Sequence, residues 1–88
     1  MTDAEKAKLA TIIGENLRRL RSCRGLTQSE LAWAASISIG ALHNYEAGKV
    51  IPKVNVLTRL SYALDVAVFD LVVETIIPQA VRFREPKP

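Results

Sequence analysis

The chain has 88 residues, of which 49% are apolar, and its net charge of +3 and sequence pI of about 9.4 make it mildly basic. This length forms one small domain with a modest core that gains from a partner subunit, and the composition argues against disorder while permitting a polyanionic partner. The lone cysteine, Cys23, excludes an internal disulfide and fits a reducing cytoplasm, and no apolar run predicts a secretory signal or a transmembrane helix.

The first predicted helix begins at a capping box, in which Thr2 is followed by Glu5 three residues later. An apolar stripe at helical spacing continues it: Leu9, Ile13, Leu17 and Leu20. Gly14 interrupts the pattern and indicates either a kink or a point of close packing. Gly25 predicts the end of the helix, because glycine accepts the left-handed cap conformation.

Two short helices are predicted next, in the stretch LTQSELAWAASISIGALHNYEAGK. Thr27 and Glu30 form a second capping box, and Ser38 can cap a third helix that runs to about Ala47 and ends at Gly48. The apolar positions lie one turn apart on each helix or in the bend between them: Leu31, Ala35, Ile37, Leu42 and Tyr45. The pattern predicts two helices hinged at a tight bend.

Two further helices follow a loop that contains Pro52. The fourth is marked by Val54, Leu57, Leu60 and Leu64 and ends near Asp65. A short fifth helix is marked by Val68, Leu71 and Val72, and Pro78 blocks its continuation. Residues 79–84 alternate as a strand does, with Val81 and Phe83 on one face. A lone strand needs a partner, so the tail pairs with its twin in a dimer, covers the core, trails as a basic arm or is disordered.

Residues 13–72 resemble the helix-turn-helix family of lambda-type repressors and Cro proteins, the XRE-type regulators. The resemblance rests on the runs LRRLRSCRGLTQSELA, YEAG and LTRLSYALDV together with Pro52, and it covers about two-thirds of the chain. It implies an all-α, five-helix lambda-repressor-like domain that forms a homodimer and docks its third helix in the major groove of DNA. It also implies a structural ion pair, which maps onto Arg21 and Glu46. The expected organisation is an extension of the first helix (residues 1–11), the helix-turn-helix domain (12–74) and a tail with an optional dimerisation strand (75–88).

The sequence departs from the family pattern in three places. Ser36 replaces the glycine of the bend, at the cost of strain if the backbone there is left-handed. Trp33 stands where the family has a solvated charged residue; we expect it to pack against the added first turns, residues 4–10, and the alternative is an anchor for a partner protein. Ile39 and Gly40 lead the third helix, where relatives often carry glutamine, lysine or arginine.

Five residues are predicted to contact DNA bases: Gln28, Ile39, Gly40, His43 and Asn44. Asparagine can bond adenine at two positions, histidine can donate to guanine or phosphate, and Ile39 can contact a thymine methyl. The alternatives are solvated polar surface for His43 and Asn44 and a stray surface side chain for Ile39. Gln28 is assigned a phosphate or base contact by the resemblance. His43 carries no metal signal, because no second ligand stands at suitable spacing.

Six residues are predicted to contact phosphates: Arg18, Arg24, Thr27, Ser38, Lys49 and Lys53. Each is weak evidence alone, because a charge on a solvated face is the usual arrangement. Recognition units this small read DNA as pairs on half-sites one helical turn apart. The predicted dimer interface comprises Val68, Leu71, Val72, Ile76, Val81 and Phe83.

These patterns predict a cytoplasmic, sequence-specific DNA-binding regulator, a homodimeric repressor that reads a palindromic operator in the major groove. The alternative is an antitoxin-like or other protein-interaction module that holds a partner protein through Trp33 and the tail. An enzyme is not expected, since the sequence has no acid pair, no nucleophile with a base and no phosphate-binding glycine loop. No cofactor, metal or membrane partner is predicted; the expected partners are double-stranded DNA, a second copy and, in the alternative, another protein.

Overall fold

The computed structural model describes residues 1–74, which contain five α-helices. They are α1 (Asp3–Cys23), α2 (Gln28–Ala34), α3 (Ile39–Glu46), α4 (Val54–Leu64) and α5 (Val68–Val72). The all-α, five-helix prediction is confirmed. The predicted tail strand, with the interface residues Ile76, Val81 and Phe83, lies outside the described residues.

The helix starts are the ones that the capping patterns predict. At α1, the backbone N–H of Glu5 donates to the Thr2 hydroxyl (3.1 Å) and the N–H of Thr2 donates to the Glu5 carboxylate (2.7 Å). Thr27 and Glu30 make the same reciprocal pair at α2 (3.0 and 2.8 Å). The Ser38 hydroxyl accepts from the third residue of α3 at 3.0 Å. Each cap satisfies helix N–H groups that would otherwise lack a partner.

The core lies where α1 packs against α3 and α5, and where α2 and α4 close over the other side. Its fully enclosed side chains come from all five helices: Ile13, Leu17, Leu31, Leu42, Leu60, Leu64 and Leu71. Because α3 contacts both α1 and α2, one of its faces is buried and the opposite face is open.

Gly14 is a point of close packing, which settles the choice that the sequence left open. A Cβ built on Gly14 would lie 2.7 Å from the carbonyl oxygens of both Tyr45 and Glu46. Since Cβ atoms do not approach backbone oxygens so closely, only glycine lets the last turn of α3 lie directly on α1. Helix α1 continues without a break through this position.

Ser36, in the bend between α2 and α3, has a left-handed backbone with φ of +58°. That conformation costs about 1–2 kcal/mol for a residue with a side chain. The bend holds it in place: the N–H of Ile37 donates to the carbonyl of Ala32 at 3.0 Å, and Ala32 and Ala35 are buried beside it. Ser36 therefore carries the strain that was expected for a left-handed backbone at this position.

The expected packing of Trp33 against the first turns of α1 is wrong. The indole is 85% exposed, because α2 buries the opposite face of the helix, with Leu31 and Ala32 turned to the core. Residues 4–10 were available as a cover, but the way the helices pack does not bring them over Trp33.

The assignment of Leu71 to the dimer interface is also corrected. Leu71 is fully buried in the core, so its side chain has no surface to offer a partner. Helix α5 uses its apolar stripe to pack on its own domain, and Val68 and Val72 are accordingly half-buried. The apolar side chain that α5 presents to solvent is Phe69, which is 68% exposed.

Candidate functional site

The open face of α3 gathers several of the predicted base-contact residues. Gly40, His43, Asn44 and Ala47 are all exposed, and their spacing of three, four and seven residues places them on one side of the helix. Leu42 and Glu46 occupy the opposite side and are buried. Ala47 was not among the predicted residues, although its spacing from His43 and Asn44 could have indicated it.

The first turn of α3 is apolar and open. Ile39 is 51% exposed, and a Cβ built on Gly40 would meet no atom within 4 Å. A surface without a side chain at position 40 permits close approach of a ligand to the backbone. Ile39 beside it supplies an apolar group at the edge of that gap.

Gln28, which is predicted to contact a phosphate or a base, also forms a hydrogen bond within the protein. Its side-chain amide Nε2 donates to Oε1 of Glu46 at 2.9 Å, and the residue is half-buried. One of the two amide N–H groups is thus used within the protein, which leaves the other N–H, the side-chain oxygen and the backbone N–H at the start of α2 for any contact outside. No sequence signal pointed to this bond, because the two residues are 18 positions apart.

The predicted ion pair of Arg21 and Glu46 is confirmed. Arg21 Nε lies 2.6 Å from Glu46 Oε2, and Arg21 Nη2 donates to Oε1 at 3.0 Å, a bidentate arrangement. The side chain of Glu46 is 2% exposed and that of Arg21 is 17% exposed. Arg21 Nη1 also donates to the carbonyl of Leu26 at 2.9 Å, so the guanidinium fixes the turn that leads into α2. Together with Gln28, this pair joins α1, α2 and α3 at one carboxylate.

The electrostatics of the pair favour its charged form. Burial by itself raises the pKa of the Glu46 carboxyl, but hydrogen bonds from Arg21 and Gln28 and the charges of Arg21 and Arg18 outweigh it and hold that pKa below its usual value. The hydrogen bond to Glu46 raises the pKa of Arg21 against the opposing effect of burial. Both groups are therefore ionised at neutral pH.

Four of the residues predicted to contact phosphates lie at the N-terminal ends of α2 and α3 or in the segment that follows α3. Thr27 and Ser38 cap α2 and α3, and their exposed hydroxyls stand at helix N-termini, which favour anions. Lys49 and Lys53 are exposed in the segment after α3. The backbone N–H of Lys49 donates to the carbonyl of Asn44 at 3.1 Å. This hydrogen bond holds the backbone of Lys49 against the last turn of α3, which carries Asn44.

The other two residues predicted to contact phosphates are Arg18, in α1, and Arg24, at its C-terminal cap. Both donate hydrogen bonds to backbone carbonyls of the protein. Arg24 donates to the carbonyls of Leu64 (2.8 Å) and Asp65 (3.2 Å), so it closes the C-terminal end of α4. Lys53 lies at the opposite end of α4 from Arg24, and the 11 residues of that helix span about 16 Å. These contacts favour a structural role for Arg24 over a phosphate contact. Arg18 is exposed and reaches the Glu46 carbonyl at 3.4 Å, beside the end of α3.

Within residues 1–74, no group of three or more histidine, cysteine, aspartate or glutamate side chains could hold a metal ion. None of the five helices is both long enough and apolar enough to cross a membrane.

The chain is similar to a known domain family, to proteins of known sequence and to solved structures. A model of the helix-turn-helix domain matches residues 12–70. The chain is 33% identical over 64 residues to vegetative-specific protein H7 of Dictyostelium discoideum, an alignment covering 73% of this chain and 62% of that protein. It is 39% identical over 57 residues to the HTH-type transcriptional regulator DdrOP3 of Deinococcus deserti, covering 65% and 44%. The chain thus spans less than two-thirds of the length of either relative.

A solved structure with the same fold is that of the restriction-modification controller protein C.AhdI from Aeromonas hydrophila. It superposes with a TM-score of 0.68 at 27% sequence identity and covers 70% of this chain and 94% of that one. The superposition covers almost the whole of the controller protein, so the two chains share the same fold.

Proposed function

The chain belongs to the helix-turn-helix domain family, and we propose that it is a sequence-specific DNA-binding transcriptional regulator that acts in the cytoplasm. The observation that carries the proposal is the open face of α3, where Gly40, His43, Asn44 and Ala47 lie together while the opposite face is locked on α1. The similarity to a transcriptional regulator and to a restriction-modification controller protein supports it. A binding role without catalysis is proposed with it.

In this proposal α3 enters the major groove with its open face toward the base edges. Asn44 pairs with adenine, His43 donates to guanine or a phosphate, and Ile39 contacts a thymine methyl. The gap at Gly40 brings the backbone of α3 close to the bases. Gln28 contributes its backbone N–H, its side-chain oxygen or the second N–H of Nε2, because the first N–H is bound to Glu46. Thr27, Ser38, Lys49 and Lys53 contact phosphates on either side and fix the register.

Asn44→Ala is expected to relax base preference at one operator position by about 1–3 kcal/mol and to leave the fold intact, because Asn44 is exposed. The operator is first obtained by selection from random duplexes, and affinities are then measured for each single-base variant of it. Ser22→Ala, an exposed polar residue of α1, is the matched control and should leave every preference unchanged. Unaltered preference at all positions in the Asn44 variant would remove Asn44 from the readers.

We further propose that the protein is a twofold homodimer and a repressor that reads a palindromic operator, since one copy of α3 spans only a few base pairs. Two exposed aromatic side chains on α4 and α5, two helices that pack against each other, support a contact there: Phe69 is 68% exposed and Tyr62 is 89% exposed. Val68 and Val72 border Phe69 on α5 and complete this surface.

Phe69→Ser is expected to raise the dimer dissociation constant by about tenfold or more, because a central aromatic side chain commonly carries much of an interface. Sedimentation equilibrium of the full chain measures it. Trp33→Ala is the control, an exposed aromatic residue on α2 that the proposed interface does not include. An equal effect of both variants, or none from Phe69→Ser, contradicts this interface.

The second candidate is a protein-interaction module, and the observation that favours it is the 85% exposure of Trp33. An exposed indole is the type of side chain that anchors protein partners. The two functions are separable: selection from random duplexes yields no enriched sequence if the fold serves protein binding alone.

A further inference from the structure

A cleft of about 370 Å³ lies between the first turns of α1 and the loop that follows α3. It is lined by Lys6, Ala7, Ala10, Gly48, Lys49, Val50 and Ile51. Two of these residues are cationic and none is acidic. The α1 side of the cleft precedes residue 12, where the family match begins.

The packing of α1 on this loop positions Lys6. Ala10 is 5% exposed, and a Cβ built on Gly48 would lie 3.3 Å from the Cα of Thr11 and 3.6 Å from the carbonyl of Ala10. Lys6 precedes Ala10 by four residues, so it stands one turn further out on the same face of α1. The face of α1 that packs against the end of α3 therefore also carries Lys6, which is exposed.

Lys6 and Lys49 have no ion-pair partner among residues 1–74. The neighbouring Glu5 is engaged at the start of α1, where its carboxylate accepts from the N–H of Thr2. Lys8 is directed elsewhere: it lies about 200° around the helix from Lys6 and pairs with Glu74 at 3.8 Å. The positive charge of the first turns is thus divided, with Lys6 facing the cleft and Lys8 facing the end of the described chain.

We infer that this cleft binds a phosphate of the DNA backbone, with Lys6 and Lys49 as its two cationic contacts. The inference rests on the proposed function and extends it to a part of α1 outside the family match. Lys49 follows directly from the turn that carries Asn44, so the cleft adjoins the proposed base-reading face. The small side chains of Ala7 and Ala10 give a floor on which a deoxyribose can rest. Lys6 thereby adds a contact that is independent of base sequence.

The test is the dependence of DNA affinity on salt concentration, measured with the full chain on the selected operator and on an unrelated duplex. Each lysine that neutralises a phosphate contributes about 0.9 to the slope of log affinity against log salt. Lys6→Ala is expected to reduce the slope by that amount for each bound subunit, and to weaken binding to both duplexes by a similar factor. Lys6→Arg should retain the wild-type slope, because it keeps the charge.

Lys8→Ala is the matched control, since it removes the same charge from the same helix. It is expected to leave the slope at the wild-type value, and thermal midpoints confirm that both variants are folded. The inference is overturned if Lys6→Ala keeps the wild-type slope, or if Lys8→Ala reduces it equally. Failure of the proposed function gives a different result: the wild-type protein itself then shows no duplex binding or a slope near zero.

Discussion

Gly14→Ala is expected to destabilise the fold by about 3 kcal/mol, at the upper end of the usual cost of overpacking. The added methyl group would lie 2.7 Å from two carbonyl oxygens of the last turn of α3, and backbone atoms cannot rotate out of the way as a flexible side chain can. Relief requires α3 to move away from α1, which disturbs the core around Leu17 and Leu42. Urea unfolding of the protein without DNA measures the change.

Gly40→Ala is the matched control, because it makes the same chemical change in another helix. Its methyl group meets nothing within 4 Å, and alanine is a better helix former than glycine. We expect Gly40→Ala to stabilise the fold by about 0.5–1 kcal/mol. The two variants should therefore move the urea midpoint in opposite directions. A small effect of Gly14→Ala would mean that α1 and α3 are not in direct backbone contact.

Glu46→Ala is expected to cost about 3–5 kcal/mol of stability, whether or not DNA is present. The substitution removes both hydrogen bonds from the partly buried guanidinium of Arg21 to the carboxylate and leaves it the bond to the Leu26 carbonyl. It also removes the acceptor of the Gln28 amide. Glu15→Ala, on the exposed side of α1, should change stability by less than about 0.5 kcal/mol. Loss of DNA binding with an unchanged thermal midpoint would instead place Glu46 in the DNA-binding surface.

The same carboxylate gives stability a dependence on pH whose sign follows from its lowered pKa. A carboxyl whose pKa is lower in the folded protein contributes stability above its usual value of 4.5 and loses it as the pH falls through the folded value. The wild-type protein should lose this contribution below about pH 4.5. The Glu46→Ala variant should lack that part of the acid dependence, whereas Glu15→Ala should retain it.

The features that the sequence predicted well are local or carried by a strong pattern. The caps at Thr2, Thr27 and Ser38 depend on residues three positions apart, so the chain itself specifies them. The left-handed backbone of Ser36 was only a conditional expectation, raised because the family carries a glycine at that bend. The pairing of Arg21 with Glu46 came from family resemblance and could not have come from spacing.

The features that the sequence did not predict depend on how helices are oriented in space. Periodicity grouped Leu71 with Val68 and Val72 but could not tell whether their stripe faces the core or a partner. Trp33 was assigned a cover that the packing of α2 does not provide. The bond between Gln28 and Glu46 and the cleft beside Lys6 join segments far apart in the chain, and no local signal encodes them.

Because α3 depends on α1 for its position, the proposed base-reading surface cannot be transferred to another protein as α2 and α3 alone. Helices α2 and α3 have seven and eight residues, and isolated helices shorter than about 12–15 residues are marginal in water. Their arrangement comes from α1, through the bare backbone at Gly14 and the guanidinium of Arg21 two turns later. A chimera that moves residues 27–48 into another helical scaffold would carry the proposed base-contact residues without their geometry, unless the host helix offers a glycine and an arginine at the same seven-residue spacing.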